Sequence, residues 1–282
     1  MCERRVWAHA FGRAGVKRPV LAVLACACLL LARAAAAETT SPTAKTCDVG
    51  VYIISLQDFD FARGTFGADF WVWSTCPSKE LRPLDVMDFT NSVRIDTRLP
   101  STFQRGDVFW SYLKVSGVFR HHWNVRRYPF DGHVLRIEIE NTNAPASEFA
   151  YRADRAASQP SRDIVLDGWR ITRFDIQEAT YVYDTNFGDP AFAGKKQSDY
   201  SRLQVGVAIE RTKRWSFVTL VAGVHVAFAL SAIAFLLGPY NGRRRANLLA
   251  GTLFAVVVNQ RVAESVIGRT EQITLLDEIH LV

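Results

Sequence analysis

The sequence has no nucleophile elbow and no phosphate loop, and its five cysteines show no spacing that suits zinc. An exported enzyme is therefore the weakest of the readings. His121, His122 and His133 invite a metal site, but no carboxylate or cysteine stands at ligand spacing around them. His121 and His122 are neighbours that would point to opposite faces of a strand. Nucleic acid is excluded as a partner, because the net charge of +6 over 282 residues is spread along the chain rather than gathered in a patch. Between Cys47 and Arg211 nothing supports a long amphipathic helix. From Trp215 to Leu237 charge is missing altogether.

The N-terminus reads as a secretory signal over residues 1–37. Arg4, Arg5, Arg13, Lys17 and Arg18 form a basic region, Val20 to Leu31 an apolar core, and Ala35, Ala36 and Ala37 a small-residue cleavage site. An uncleaved anchor is the alternative. With the signal go Cys2, Cys26 and Cys28, leaving Cys47 and Cys76 in an oxidising setting. That pair fits a disulfide or two free buried thiols, and the residues alone leave both open.

Residues 38–46 are rich in Thr, Ser and Pro and read as a disordered linker. Residues 47–212 then show short alternating runs broken by turn residues, such as Val49, Val51 and Ile53, or Leu203, Val205, Val207 and Ile209. Many strands at short spacing predict a β-sandwich or barrel. Residues 141–163 and 184–199 are polar, Gly/Pro-containing loops, where binding residues tend to sit.

Residues 213–282 read as a membrane domain. The uncharged segment 215–237 is long enough to span a bilayer with some tilt. Basic residues flank it on both sides (Arg211, Lys213 and Arg214, then Arg243, Arg244 and Arg245), so arginine counts leave its orientation open. Export of the β-domain places Arg243 to Arg245 in the cytoplasm. A second helix is expected over 244–267, with a third beginning at 272–282. The uncharged part of the second, Ala246 to Gln260, covers about 22 Å against a hydrocarbon core of roughly 30 Å. Spanning would continue through Arg261 and Glu264, which must face water or protein. Asn247, Gly251, Phe254, Val258, Arg261 and Ser265 fall three or four apart, on one helical face. Such a stripe suits a pore lining; a helix buried in a compact bundle is the alternative.

One segment carries more than the rest. Tyr128-Pro129-Phe130-Asp131-Gly132 is a rigid turn leading into an alternating strand, with Leu135, Ile137 and Ile139 on one face and Arg136, Glu138 and Glu140 on the other. Pro129 restricts itself and Tyr128 to extended geometry, and Gly132 tolerates a tight turn. Together with Leu166-Asp167-Gly168-Trp169, Val205 to Arg211, and Gly251-Thr252-Leu253-Phe254-Ala255 followed by Glu264 and Thr270, it resembles the pentameric ligand-gated ion channels, in the bacterial branch without the Cys-loop disulfide. Pro83 with Asp85 to Asn91 is a weaker match. The resemblance runs from about Val49 to the C-terminus.

This resemblance implies a mainly β extracellular domain, an immunoglobulin-like β-sandwich, followed by α-helical transmembrane segments, in a multi-pass protein of the bacterial inner membrane with the β-domain in the periplasm. It implies a homopentamer of identical subunits that binds a small-molecule ligand, conducts ions and contacts membrane lipids, without a cofactor. Asn247, Gly251, Phe254, Val258 and Arg261 would line the pore, with Phe254 and Val258 as an apolar gate. Asp131, Phe130 and Arg211 would couple ligand to gate, Asp131 pairing with Arg211. Ligand residues would be Tyr181, Tyr183, Phe187 and Tyr200, with Trp71, Trp73 and Tyr151 weaker, and Glu148, Asp154 and Asp184 as countercharge. Such a cage suits an amine.

Departures stand beside these. His121 and Leu135 occupy the positions of the two Cys-loop cysteines, so packing must hold that loop. Gly223 stands where a kinking proline is usual. Arg243, Arg244 and Arg261 favour anions over cations. The family has four membrane helices, and this chain ends just into the third, which makes it a fragment or a truncated protein. A membrane-anchored periplasmic sensor without a conducting pore is the competing function.

Overall fold

The computed structural model of the chain describes residues 44–192, 194–212, 215–267 and 272–281. The expected signal and most of the linker lie outside them, as do Lys213, Arg214, Thr270 and the side chains of Glu264 and Ser265.

Two sheets enclose one apolar core. The first is ordered β4-β5-β2-β1-β7 and the second β3-β6-β10-β9. The strands that build it are β1 (Lys45–Asp60), β2 (Thr65–Cys76), β3 (Met87–Phe89), β4 (Ser92–Arg105), β5 (Val108–Arg120), β6 (Gly132–Asn141), β7 (Phe149–Ala153), β8 (Gln159–Pro160), β9 (Trp169–Tyr183) and β10 (Ser198–Arg211). Alternation drives the assembly. Val49, Val51 and Ile53 of β1, Phe66 and Phe70 of β2, Ile139 of β6, and Leu203 and Val205 of β10 are completely buried. Each such side chain contributes about 1.5–3 kcal/mol on leaving water. Trp73 of β2 lies flat against Gly50 of β1, where a Cβ would come within 2.3 Å of the indole.

Several boundaries differ from the sequence expectation. β1 begins at Lys45, inside the expected linker. Within the loop expected over 141–163, β7 and β8 pair in parallel with β1, because Phe149 and Tyr151 are apolar enough to be drawn into the core. The Tyr128–Pro129 bond is cis. At the outer edge of the first sheet, β4 carries Arg94, Asp96, Arg98 and Pro100, residues that keep an edge strand from pairing with other chains. Cys47 and Cys76 face each other across β1 and β2 and are bonded, with an S–S distance of 2.05 Å.

Among the described residues three α-helices follow: α1 (Trp215–Leu236), α2 (Gly242–Ile267) and α3 (Leu275–Leu281). They require a correction. Among the described residues no helix is long and apolar enough to cross a membrane. The run of α1 (Trp215–Leu236) is interrupted by the polar His225 and Ser231. α2 is longer but opens on Arg243, Arg244 and Arg245 and includes Arg261. The α-helical transmembrane segments, the transmembrane description, and the multi-pass placement in an inner membrane therefore do not stand. Exposed apolar side chains do remain, among them Phe228 and Leu236 on α1 and Leu253 and Phe254 on α2. Where α1 and α2 pack, a Cβ on Gly223 would come within 2.7 Å of the Asn259 amide. Glycine is needed there so that Asn259 can reach His280 of α3, 2.9 Å away.

Candidate functional site

The end of the sandwich nearest the helices is organised around Asp131 and Arg211. β6 and β10 run antiparallel with Gly132 opposite Glu210, so the residue before β6 meets the residue that ends β10. The Arg211 Nε–H donates to Asp131 Oδ1 at 2.7 Å. The other carboxylate oxygen lies 2.8 Å from His133 Nε2. With both oxygens engaged, the Asp131 side chain is 1% exposed and that of Arg211 16%. Burial pushes the Asp131 carboxyl upward, but the His133 hydrogen bond and the Arg211 guanidinium outweigh it and hold the group below its usual range.

Arg211 is also caged by aromatics. Its guanidinium carbon lies 4.2 Å from the Trp169 ring centre, 4.8 Å from Tyr128 and 5.1 Å from Phe61. Those rings come from β9, from the turn before β6, and from the β1–β2 turn. The cage therefore ties three segments to one cation.

The same turn touches the helices. The Phe130 ring lies 5.1 Å from that of Phe217 in α1. Just upstream, the Val125 N–H donates to Gln272 Oε1 at 3.0 Å, and Gln272 Nε2 donates to the Trp123 carbonyl at 2.9 Å. The Leu275 N–H, at the start of α3, donates to the Arg126 carbonyl at 2.8 Å. Residues 123–131 thus grip both the first helix and the approach to the third.

No disulfide closes this loop. Leu135 is in the core, and His121 packs edge-on against Trp123 at 4.4 Å and against His133 at 5.6 Å. His121 Nε2 and Trp123 Nε1 are buried without a hydrogen-bond partner. Burial, with the neighbouring His133 adding to it, drives the His121 pKa down to about 4, so the ring is neutral.

At the opposite end of β9 and β10, Tyr181, Tyr183, Phe187 and Tyr200 gather. Tyr183 lies 4.7 Å from Tyr181, 5.2 Å from Phe187 and 6.0 Å from Tyr200. One face is already occupied: the Arg202 guanidinium sits 3.8 Å over Tyr181. Arg202 is 5% exposed and donates to Glu140 at 2.7 Å and Glu138 at 2.9 Å. The Tyr183 hydroxyl donates to Glu140 at 2.8 Å. Burial, with the Glu140 carboxylate beside it, pushes that phenol up to about 12.

The remaining expected ligand residues are elsewhere. Trp71 meets Tyr112 edge-on in the other sheet, 5.6 Å away. The Trp73 indole donates to Asp154 at 3.1 Å. Tyr151 is in the core beside Phe149. Asp184 is bonded by Gln197 at the base of the loop, and Glu148 is exposed just before β7. On α2, Asn247, Gly251, Phe254, Val258 and Arg261 all lie on the exposed side, while Thr252 is buried and meets Ser231 of α1 at 3.0 Å.

Sequence reasoning missed Arg202, His133, Phe61, Phe217 and Gln272 as participants. It placed Glu138 and Glu140 on the strand face opposite Leu135, Ile137 and Ile139 without foreseeing that Glu140 is buried, at 6% exposed. The one signal available was a charge alternating with core residues on both β6 and β10. The chain matches no protein-family model, and no curated protein matches it.

Proposed function

We propose that the chain is a ligand-sensing subunit of a ligand-gated ion channel, acting with identical copies of itself. A small molecule held at the Tyr181, Tyr183, Phe187 and Tyr200 cluster would shift β9 and β10. The far end of β10 is Arg211, and its tie to Asp131 carries that shift into the turn that touches α1 and α3. The observation that supports this reading is the two-sided arrangement of residues 128–131: Asp131 holds the strand end while Phe130 contacts Phe217. Phe187 is 61% exposed and offers an aromatic face to an amine, with Glu140 and Glu138 as nearby countercharge for Arg202.

A current recording with a panel of amines and amino acids tests the proposal. Currents evoked by one of them should be lost in Asp131→Asn while binding persists. If binding occurs and neither protein ever conducts, the competing reading holds: a sensor without a pore.

A further inference from the structure

A cavity of about 610 Å³ opens beside the β1–β2 turn, away from the aromatic cluster, and is lined by Arg63, Thr65, Val93, Arg120, His121 and His122. No carboxylate is among the lining residues. Both guanidiniums are held in place by protein acceptors that occupy only part of their donor edge. Arg63 gives its Nε–H to Asp60 at 2.7 Å, and the same carboxylate accepts the Arg63 backbone N–H. Arg120 gives one terminal nitrogen to the Ser92 carbonyl at 2.9 Å. Its own N–H is bonded to the Asn91 carbonyl, and the His121 N–H to the Gly64 carbonyl. The strands and the turn therefore fix where these cations stand, and the remaining guanidinium N–H groups make no protein hydrogen bond among the described residues. A planar guanidinium fork matches the two oxygens of a carboxylate or phosphate, and the Asp60 and Ser92 anchors orient the two forks while leaving them open to solvent, the Arg63 side chain being 84% exposed.

We propose that this cavity binds a small oxyanion, a carboxylate or a phosphate, gripped by Arg63 and Arg120 with His122 as a further donor. The site lies one turn from the junction. Phe61, two residues before Arg63, packs 4.6 Å from Trp123 and forms part of the cage around Arg211. An anion there would stiffen the turn that supports the Asp131–Arg211 pair. Binding at this site stands independently of the channel reading.

Inorganic phosphate titrated into the purified full chain, followed by calorimetry, tests it. Saturable binding should weaken about tenfold or more in Arg120→Gln and in Arg63→Gln. It should be partly retained in Arg120→Lys and unchanged in Arg173→Gln, which lies on β9 of the other sheet. Competition assigns the chemistry: displacement at lower concentration by acetate indicates a carboxylate site, and by glycerol 3-phosphate a phosphate-ester site. Absence of saturable binding, or equal weakening in the Arg173 variant, overturns the proposal.

Discussion

Replacing Asp131 by Asn removes a charge and leaves the shape of the side chain. In the folded protein that carboxylate is 1% exposed and bonded to both Arg211 and His133. Removing one partner of a buried ion pair costs about 3–5 kcal/mol, because the other charge is left without compensation. Here the Arg211 side chain is 16% exposed and keeps its three aromatic neighbours, so the lower end, about 3 kcal/mol, applies. A double-mutant cycle with Arg211→Gln isolates the pair, with an expected coupling of about 2 kcal/mol. Urea denaturation read by tryptophan emission suits the measurement, since Trp123 and Trp169 flank the pair. The pH dependence is a second check. Because the folded carboxyl lies below its ordinary value of 3.8, its contribution is complete above that pH and disappears as pH falls through the folded value. Asp131→Asn should lack that acid loss. A coupling below about 0.5 kcal/mol, the scale of an exposed pair, would refute the reasoning.

His121 gives a titration in a different window. Its pKa falls from 6.5 to about 4 on folding, so the unfolded chain binds the extra proton between those values, and stability declines as pH falls from 6.5 toward 4. With its partial exposure allowed for, the decline is about 2 kcal/mol, and His121→Phe should be flat across that window in the same denaturation assay. The Cys47–Cys76 bond closes a separation of 29 residues, which restricts the unfolded chain by about 3–4 kcal/mol. Reduction, or replacing both cysteines by Ala, should lower the urea midpoint accordingly, and an unchanged midpoint would show that the cross-link adds nothing.

The strands of the sandwich were legible because their signal is local. In β6, Leu135, Ile137 and Ile139 repeat every second residue, and a pleated backbone turns that repeat directly into a buried face. The Pro-Phe-Asp turn and the aromatics of the 181–200 segment could be read in the same way, from residue types that restrict the backbone or gather on a loop. The uncharged run 215–237 did announce a helix, Trp215–Leu236, but lack of charge alone does not establish that a helix crosses a membrane.

By itself the sequence determined which residues face inward, where β6 begins, and that Asp131 and Arg211 stand at strand ends. Apart from the Asp131–Arg211 pair, which the family resemblance implied, only the tertiary structure decided which charge meets which. Asp131 and Arg211 are 80 positions apart, and Arg202 and Glu140 are 62 apart. Their meeting depends on the register of β6 against β10, a property of the pair of strands and of neither alone. Burial then converts those contacts from weak surface pairs into strong ones. Desolvation is set by the whole packed sandwich, so no local pattern in the chain announces it.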